Sequence, residues 1–364
     1  MNPYGIFSAP EIKGVNAVKN DIRNMRMYKA YATVNQSYDA LILGSSRALL
    51  FDKKHASFKN YNAYNLALAN GSLFEAYEYL QHTVYGNSNK IKLAILEVQC
   101  CDFGGGTTDT NYDQNRLVLK QGETHTFKRL QAYLIDAVPA LISIDALKEA
   151  KNVFKTNKSI AKHGSDHQSA WHKRRVKRAG GHKNMFNRLM ARYNVRNTQE
   201  NKILQGGELR KIMYLARQNN IELIVYMSPF HASFEEKFRR ISDGKTSDSW
   251  KRSLVKLNDS IAAEYNQSAY KLWDFTGYNT VTTETIPPIG DTNTLMKWHW
   301  DGSHLTATAG NLILDKIMGY RDSTRVVPDD FGTLINSSNI DFHLKTEKVN
   351  RAQYQNAVVK ADSN

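Results

Sequence analysis

Ser46 is the first residue whose type and position are suited to chemistry. It lies in Gly44-Ser45-Ser46-Arg47, directly after the apolar run Ala40–Leu43. A serine at the carboxyl end of a first parallel strand faces the crevice in which α/β proteins bind ligands. If a helix also starts there, nearby backbone N–H groups can stabilise an oxyanion. The alternative is an ordinary helix N-cap serine, which the motif alone favours.

Asp301 and His304 form the second candidate pair, three positions apart in Trp300-Asp301-Gly302-Ser303-His304. A carboxylate can hold one ring nitrogen of a histidine in the protonated tautomer while the other nitrogen faces a serine. A helix is predicted to begin close to this pair. The alternative is therefore an aspartate N-cap beside a surface histidine.

Five short apolar runs bounded by turn residues are predicted strands, and amphipathic helical patterns lie between them. This alternation favours a parallel sheet with helices on both faces over an α+β arrangement of the same elements. The predicted strands are Ala40–Leu43, Tyr61–Leu68, Ile91–Val98, Ile221–Met227 and Tyr270–Phe275. The predicted helices are Ser72–Val84, Glu208–Gln218, Trp250–Tyr265 and Leu305–Met318, with a further helical stretch over Phe127–Phe154.

The chain resembles the SGNH (GDSL-like) hydrolase superfamily in the order of two motifs. Gly-x-Ser follows the first strand, and Asp-x-x-His precedes the last of these helices. Ser46 takes the nucleophile position, with Ser45 where many members carry Asp. The segment Asn65–Ser72 resembles the second block, in which Gly71, beside Asn70, supplies an oxyanion N–H. The third block, Gly-x-Asn-Asp, is absent: the corresponding strand ends Glu97-Val98-Gln99-Cys100-Cys101-Asp102-Phe103.

The resemblance extends over residues 2–320 and implies a flavodoxin-like three-layer α/β/α sandwich with a central parallel sheet of about five strands. It implies a catalytic triad of Ser46, His304 and Asp301 and an oxyanion site from Ser46, Gly71 and Asn70. No cofactor or metal is expected. A non-catalytic SGNH-like binding or scaffold protein remains the alternative, because the third oxyanion donor of the family is missing.

The Gly-Ser-Ser-Arg block and the degenerate third block resemble bacterial envelope proteins of exopolysaccharide O-acetylation and of teichoic-acid D-alanylation. The N-terminal pattern is also similar: Asn2–Phe7, Asn16 and Lys19, then Arg26 and Lys29. This resemblance implies an extracytoplasmic location, an anchor helix that is not in this chain, and possible partners among envelope assembly proteins. No run of about 18 apolar residues is present that would span a bilayer, and no signal peptide is predicted.

A basic insertion over residues 104–200 interrupts the domain of residues 1–320; a polar tail, 321–364, is expected to wrap the surface or be partly disordered. The 49 Lys+Arg and 35 Asp+Glu give a net charge of +14, much of it in this insertion. An acidic polysaccharide or an anionic membrane surface is the expected partner; nucleic acid is disfavoured because no recognised motif is present. The basic residues assigned to this surface are Lys173, Arg174, Arg175, Lys177 and Arg178.

Several other residues have two open interpretations. Arg47 either binds an anionic substrate or pairs with a carboxylate, the latter being favoured. His231 is either a substrate or supporting residue or a cap. Trp298 and Trp300 either stack on a sugar or pack internally. Histidines 163, 167, 172 and 182 are too irregularly spaced to favour a metal site. The only cysteines, Cys100 and Cys101, exclude a disulfide framework.

Overall fold

A computed structural model describes residues 2–7, 10, 12–17, 24–87, 90–99, 109–123, 126–163, 166–192, 207–241 and 245–362. Cys100, Cys101, Lys19 and the glycine run at 104–106 lie outside these residues, as do the side chains of His163 and His167. The predictions made for them are therefore not addressed by the structure.

The centre of the structure is a six-stranded sheet in the order β2-β1-β3-β4-β5-β6. The first five strands of this order are parallel to their neighbours, as predicted, and β6 pairs antiparallel with β5. Strand β1 lies between β2 and β3, so the chain adds strands first on one side of β1 and then on the other. The position between β1 and β3 is therefore the switch point, where doubly wound sheets bind ligands. The strands are β1 (Ala40–Leu43), β2 (Ala63–Asn65), β3 (Leu93–Val98), β4 (Glu222–Met227), β5 (Lys271–Asp274) and β6 (Thr333–Leu334).

Eleven α-helices occur within the described residues, and several of them cover the two faces of the sheet. The helices are α1 (Met25–Asn35), α2 (Leu73–Gly86), α3 (Phe127–Ile142), α4 (Ile144–His163), α5 (Asp166–Ala179), α6 (His182–Arg192), α7 (Glu208–Gln218), α8 (Ala232–Ile241), α9 (Lys245–Glu264), α10 (Ala307–Met318) and α11 (Ile340–Asp362). The stretch predicted over Phe127–Phe154 is two helices that meet at Ser143. No single helix in the described ranges is long and apolar enough to cross a membrane.

Alternate side chains of the strands enter two separate cores, as expected for strands that are covered on both faces. Leu41, Ala94 and Val225 pack with helices α2, α7 and α9. Ile42 and Ile95, one residue later in each strand, pack against α10 on the other face. The described chain is therefore a three-layer α/β structure with a mostly parallel sheet.

The segment after Tyr320 is more regular than the predicted surface wrap. It contributes strand β6 and the 23-residue helix α11. Helix α11 is anchored by Lys251 of α9, whose buried ammonium contacts Asp274 at 2.7 Å and Glu347 at 2.6 Å. Helix α11 is thus held to the domain by a buried ion cluster as well as by the apolar contacts of Ile340 and Leu344.

Candidate active site

Ser46, His304 and Asp301 come together although 258 positions separate the serine from the histidine. The Ser46 Oγ lies 3.0 Å from His304 Nε2. His304 Nδ1 lies 2.9 Å and 3.0 Å from the two Asp301 carboxylate oxygens. Ser46 and His304 are half-buried, while Asp301 is buried behind the ring. The arrangement matches a serine nucleophile, a base and a carboxylate that orients the base.

The backbone around Asp301 fixes this carboxylate in place. Its Oδ1 accepts hydrogen bonds from the Ser303 N–H at 2.9 Å and the His304 N–H at 3.0 Å. Burial alone raises the pKa of Asp301, but the hydrogen bonds from His304 and Ser303 outweigh it, and the pKa is below its ordinary value. The alternative of a helix N-cap is wrong, since Thr306 caps α10.

The segment after β1 is a series of turns over residues 46–50, so the predicted helix start at Ser46 is wrong, as is the N-cap alternative. Asn65, at the end of β2, stabilises these turns. Its Nδ2 donates to the carbonyls of Ala48 at 2.8 Å and Phe51 at 3.0 Å. A side-chain amide therefore shapes the loop that carries the nucleophile, in place of a helix.

Glu97, near the end of β3, is a supporting residue that the sequence did not single out. Its Oε2 accepts from the Ser45 N–H at 2.6 Å and from the Ser45 hydroxyl at 2.7 Å. Gly44, at φ +151°, passes so close that an added Cβ would lie 2.5 Å from the Glu97 Cβ. Glu97 therefore ties the nucleophile loop to the neighbouring strand.

Arg47 takes the predicted structural role. It is buried, its guanidinium lies 3.8 Å from Glu97 Oε1, and it covers the Phe230 ring at 4.8 Å. These contacts direct Arg47 into the protein and leave the substrate-binding interpretation without support.

The oxyanion donors expected from the second block are only partly available. The Ser46 N–H has no acceptor within the described residues, so it is free to donate. The Gly71 N–H, in contrast, donates to the Leu68 carbonyl at 2.9 Å and closes a turn. Asn70 is exposed, with a left-handed φ of +54°. In this arrangement Gly71 does not present the donor expected of it.

A small cleft beside Ser45 is lined by Gly71, Leu73 and Gln99. Gln99 follows β3 directly, at the switch point of the sheet. Its carboxamide oxygen is buried without a hydrogen-bond partner. Because a buried oxygen without a hydrogen-bond donor is costly, this oxygen is available to a ligand in the cleft.

Helix α1 holds the loop of the second block from behind. Arg26 forms a paired contact with Glu75 at 2.5 and 2.8 Å and donates to the Ala69 carbonyl at 3.2 Å. Lys29 donates to the Ala67 carbonyl at 2.5 Å. The Arg26 and Lys29 of the N-terminal pattern are thus cations that fix the loop.

His231 takes a supporting role through contacts with neighbouring segments. It is buried, its Nε2 donates to the Glu284 carbonyl at 2.6 Å, and its Nδ1 accepts from the Ser233 N–H at 3.2 Å. Burial, with a smaller effect of His299, lowers its pKa to about 3. The His231 N–H also donates to the Gly302 carbonyl at 3.0 Å, within the loop of the triad. The supporting and capping interpretations both apply.

Trp298 and Trp300 are half-buried and pack against neighbouring residues. Trp298 contacts the core on the α10 face of the sheet. Trp300 lies against the His172 ring, and the Arg175 guanidinium covers it at 5.1 Å. Packing contacts are therefore observed for both indoles, and the sugar-stacking interpretation stays a prediction.

The basic insertion is connected to the triad by its histidines. His182 Nδ1 donates to the Trp300 carbonyl at 2.9 Å, and its Nε2 accepts from the Met296 N–H at 3.1 Å. Burial lowers the pKa of His182 and of His172, the latter to about 4. Helix α5 meanwhile exposes the cations Lys173, Arg174, Arg175, Lys177 and Arg178.

Asp274, His343 and Glu347 are the only cluster of metal-type ligands among the described side chains. Lys251 already lies within 2.7 Å of Asp274 and within 2.6 Å of Glu347. The ammonium supplies the positive charge at this position, so the cluster is a buried ion network.

No protein-family model matches the chain, and no curated protein shows significant similarity to it. The resemblance to SGNH hydrolases therefore depends on the motifs and on the geometry of the site.

Proposed function

We propose that this protein is a serine-dependent O-acyltransferase or esterase of the SGNH type, with a flavodoxin-like sandwich, that acts on a cell-envelope polysaccharide. The observation that carries the proposal is the alignment of Ser46 Oγ, His304 and Asp301 at 3.0 Å and 2.9 Å. The position of Ser46 beside the switch point of the sheet also supports it.

In the proposed reaction, His304 Nε2 accepts the Ser46 hydroxyl proton as Oγ bonds to an acyl carbonyl carbon. Asp301 keeps the other proton on Nδ1, so that Nε2 is the free base. His304 then gives its proton to the departing alcohol, which leaves Ser46 acylated. Water or a sugar hydroxyl next loses a proton to His304 as its oxygen bonds to the acyl carbon. The bond from that carbon to Ser46 Oγ then breaks, and His304 returns the proton to Oγ.

The oxyanion of the tetrahedral intermediate receives hydrogen bonds from the Ser46 N–H and, in this proposal, from the Gln99 carboxamide. Gln99 takes the place of the side-chain donor of the absent third block. Its amide nitrogen and oxygen are interchangeable by a rotation of the side chain. Each donor of this type contributes about 3 kcal/mol to the transition state.

The acceptor is proposed to be an acidic polysaccharide at an extracytoplasmic location, with the exposed cations of α5 as its binding surface. Arg175 is excluded from the test because it packs on Trp300. Alanine replacements of Lys173, Arg174, Lys177 and Arg178 should weaken polysaccharide binding and leave hydrolysis of a small ester unchanged. Unaltered polysaccharide binding would remove this surface from the proposal.

A non-catalytic binding or scaffold protein is the second candidate, and the observation that favours it is the Gly71 N–H bound to Leu68. Release of p-nitrophenol from p-nitrophenyl acetate separates the two candidates. The enzyme should turn over the ester, and Ser46→Ala should abolish turnover. Equal background rates for both proteins would favour the scaffold. Ester formed on an added acidic polysaccharide would identify a transferase.

A further inference from the structure

Helix α3 exposes most of its large apolar side chains and buries the carboxylate of Asp136. The buried positions carry Ala132, Asp136, Ala137 and Ala140. On the opposite face, which also carries the exposed Gln131, seven large apolar side chains are 50–79 % exposed. These exposed residues are Phe127, Leu130, Leu134, Ile135, Val138, Leu141 and Ile142. A surface helix of a soluble domain shows the reverse arrangement.

The orientation of α3 is fixed by the buried Asp136. Its carboxylate accepts hydrogen bonds from the Tyr31 hydroxyl at 2.7 Å and from Arg116 at 2.6 and 2.9 Å. Rotating the helix to bury its apolar face would break this ion pair inside the protein, which is strongly unfavourable. The apolar face is therefore held outwards.

Helix α4 continues this surface, and along its exposed side the residues change from apolar to cationic. Ile144 and Leu147 are followed at helical spacing by Lys151, Lys155, Lys158 and Lys162, all exposed or half-buried. The opposite side, with Ala146, Ala150 and Val153, is buried. Apolar side chains thus lie at the junction with α3, and the lysines lie about two to five turns away from it.

We propose that the junction of α3 and α4 inserts into the surface of a bilayer that contains anionic lipids. Neither helix alone is long and apolar enough for a membrane segment, but the two together are, and they bend by 71° at Ser143. A bend of this size suits a wedge in one leaflet. The apolar residues reach the acyl boundary, and the lysines meet the anionic headgroups.

The order of apolar and cationic residues along α4 favours a bilayer over a second protein as the partner. A protein partner needs no particular order of apolar and cationic residues, whereas a leaflet places its negative charges in a plane above its acyl chains. Along α4, Ile144 and Leu147 come first and the four lysines follow, which is the order in which a leaflet presents its acyl chains and then its headgroup charges. The inference does not depend on the chemistry of Ser46.

Flotation of the full chain with vesicles tests this proposal. Vesicles of phosphatidylcholine with one quarter phosphatidylglycerol are compared with phosphatidylcholine alone. The combined change Leu141→Ser, Ile142→Ser and Ile144→Ser should weaken binding on the order of 100-fold, because three aliphatic side chains are lost from the contact. Its matched control, Ile289→Ser, Val326→Ser and Phe342→Ser, replaces side chains that are 71–86 % exposed elsewhere and should bind as wild type.

The lysines are tested separately. Lys151→Glu, Lys155→Glu and Lys158→Glu together should weaken binding to the anionic vesicles roughly 100-fold, and the control set Lys54→Glu, Lys59→Glu and Lys345→Glu should weaken it much less. Thermal melting verifies that each variant is folded. Equal binding to neutral and anionic vesicles would overturn the proposal. So would a lipid-free dimer that the serine variant dissociates, since a second copy would then cover the face.

Discussion

Replacing Asp301 by asparagine changes the charge behind His304 with almost no change in shape. The carbonyl oxygen of the new side chain can still accept from the N–H groups of Ser303 and His304, as Oδ1 does now at 2.9 and 3.0 Å. The amide nitrogen then takes the position of Oδ2, 3.0 Å from His304 Nδ1. The amide oxygen also lies 2.9 Å from Nδ1, but it already accepts from two backbone N–H groups. Since two donors cannot share one hydrogen bond, Nδ1 becomes the acceptor of the amide N–H.

The consequence reaches Ser46 through the tautomer of the ring. With Nδ1 accepting, the proton lies on Nε2, which must then donate to Ser46 Oγ instead of receiving its hydrogen. The loss of both the base and the counter-charge lowers acylation by about 10⁴-fold, from the effect of this exchange in serine proteases. That corresponds to about 5 kcal/mol on the activation barrier.

The assay is the rate of p-nitrophenol release in the first turnover, which measures acylation apart from deacylation. Asp291→Asn is the matched control, because Asp291 also accepts from nearby backbone N–H groups, at 2.9 and 3.0 Å, without a contact to His304. It should acylate like the wild type. If Asp301→Asn retained more than about a tenth of the wild-type rate, the role given to Asp301 would be wrong.

Three further outcomes are expected. Gln99→Ala should lower acylation on the order of 100-fold with an unchanged melting temperature; an unchanged rate would remove Gln99 from the oxyanion site. Lys251→Met should lower the free energy of unfolding by about 3–5 kcal/mol, because two buried carboxylates lose their cation. The control Lys271→Met breaks the exposed ion pair with Glu222 and should lower it by less than about 1 kcal/mol. Equal losses in urea titrations would refute this expectation. Burial lowers the pKa of His82 to about 4, below the value of about 6.5 in the unfolded chain. The free energy of unfolding should therefore fall by about 3 kcal/mol as the pH drops from about 6.5 to about 4, because the unfolded state binds the proton more readily. His82→Gln should flatten this slope in pH-dependent unfolding, and an unaltered slope would contradict the expectation.

The strands were predictable because their apolar runs are short and bounded by turn residues. The predicted Ile221–Met227, for example, differs from β4 by one residue. Strand β6 was missed because two residues carry no pattern. Helix α11 was missed because its contacts to the domain depend on Glu347 as well as on Leu344, so its hydrophobic stripe is weak.

The residues of the triad could be predicted because their types, spacing and chain order are local properties of the sequence. The supporting contacts could not. Glu97 lies on β3, next to β1 in the sheet, and accepts a hydrogen bond from Ser45. His182 donates to the carbonyl of Trp300, which is 118 positions away in the chain. The contact from the Gly71 N–H to Leu68 depends on the conformation of a turn, which the motif does not specify. Contacts between distant segments need the folded structure.

The most direct test of the central claim is covalent labelling by an alkyl fluorophosphonate, followed by mass spectrometry of the intact protein and its peptides. We predict one adduct on wild type, located on Ser46 and not on the neighbouring Ser45, and none on Ser46→Ala. Labelling that persists in Ser46→Ala, or a wild-type protein that stays unlabelled at neutral pH, would contradict the assignment of Ser46 as the nucleophile.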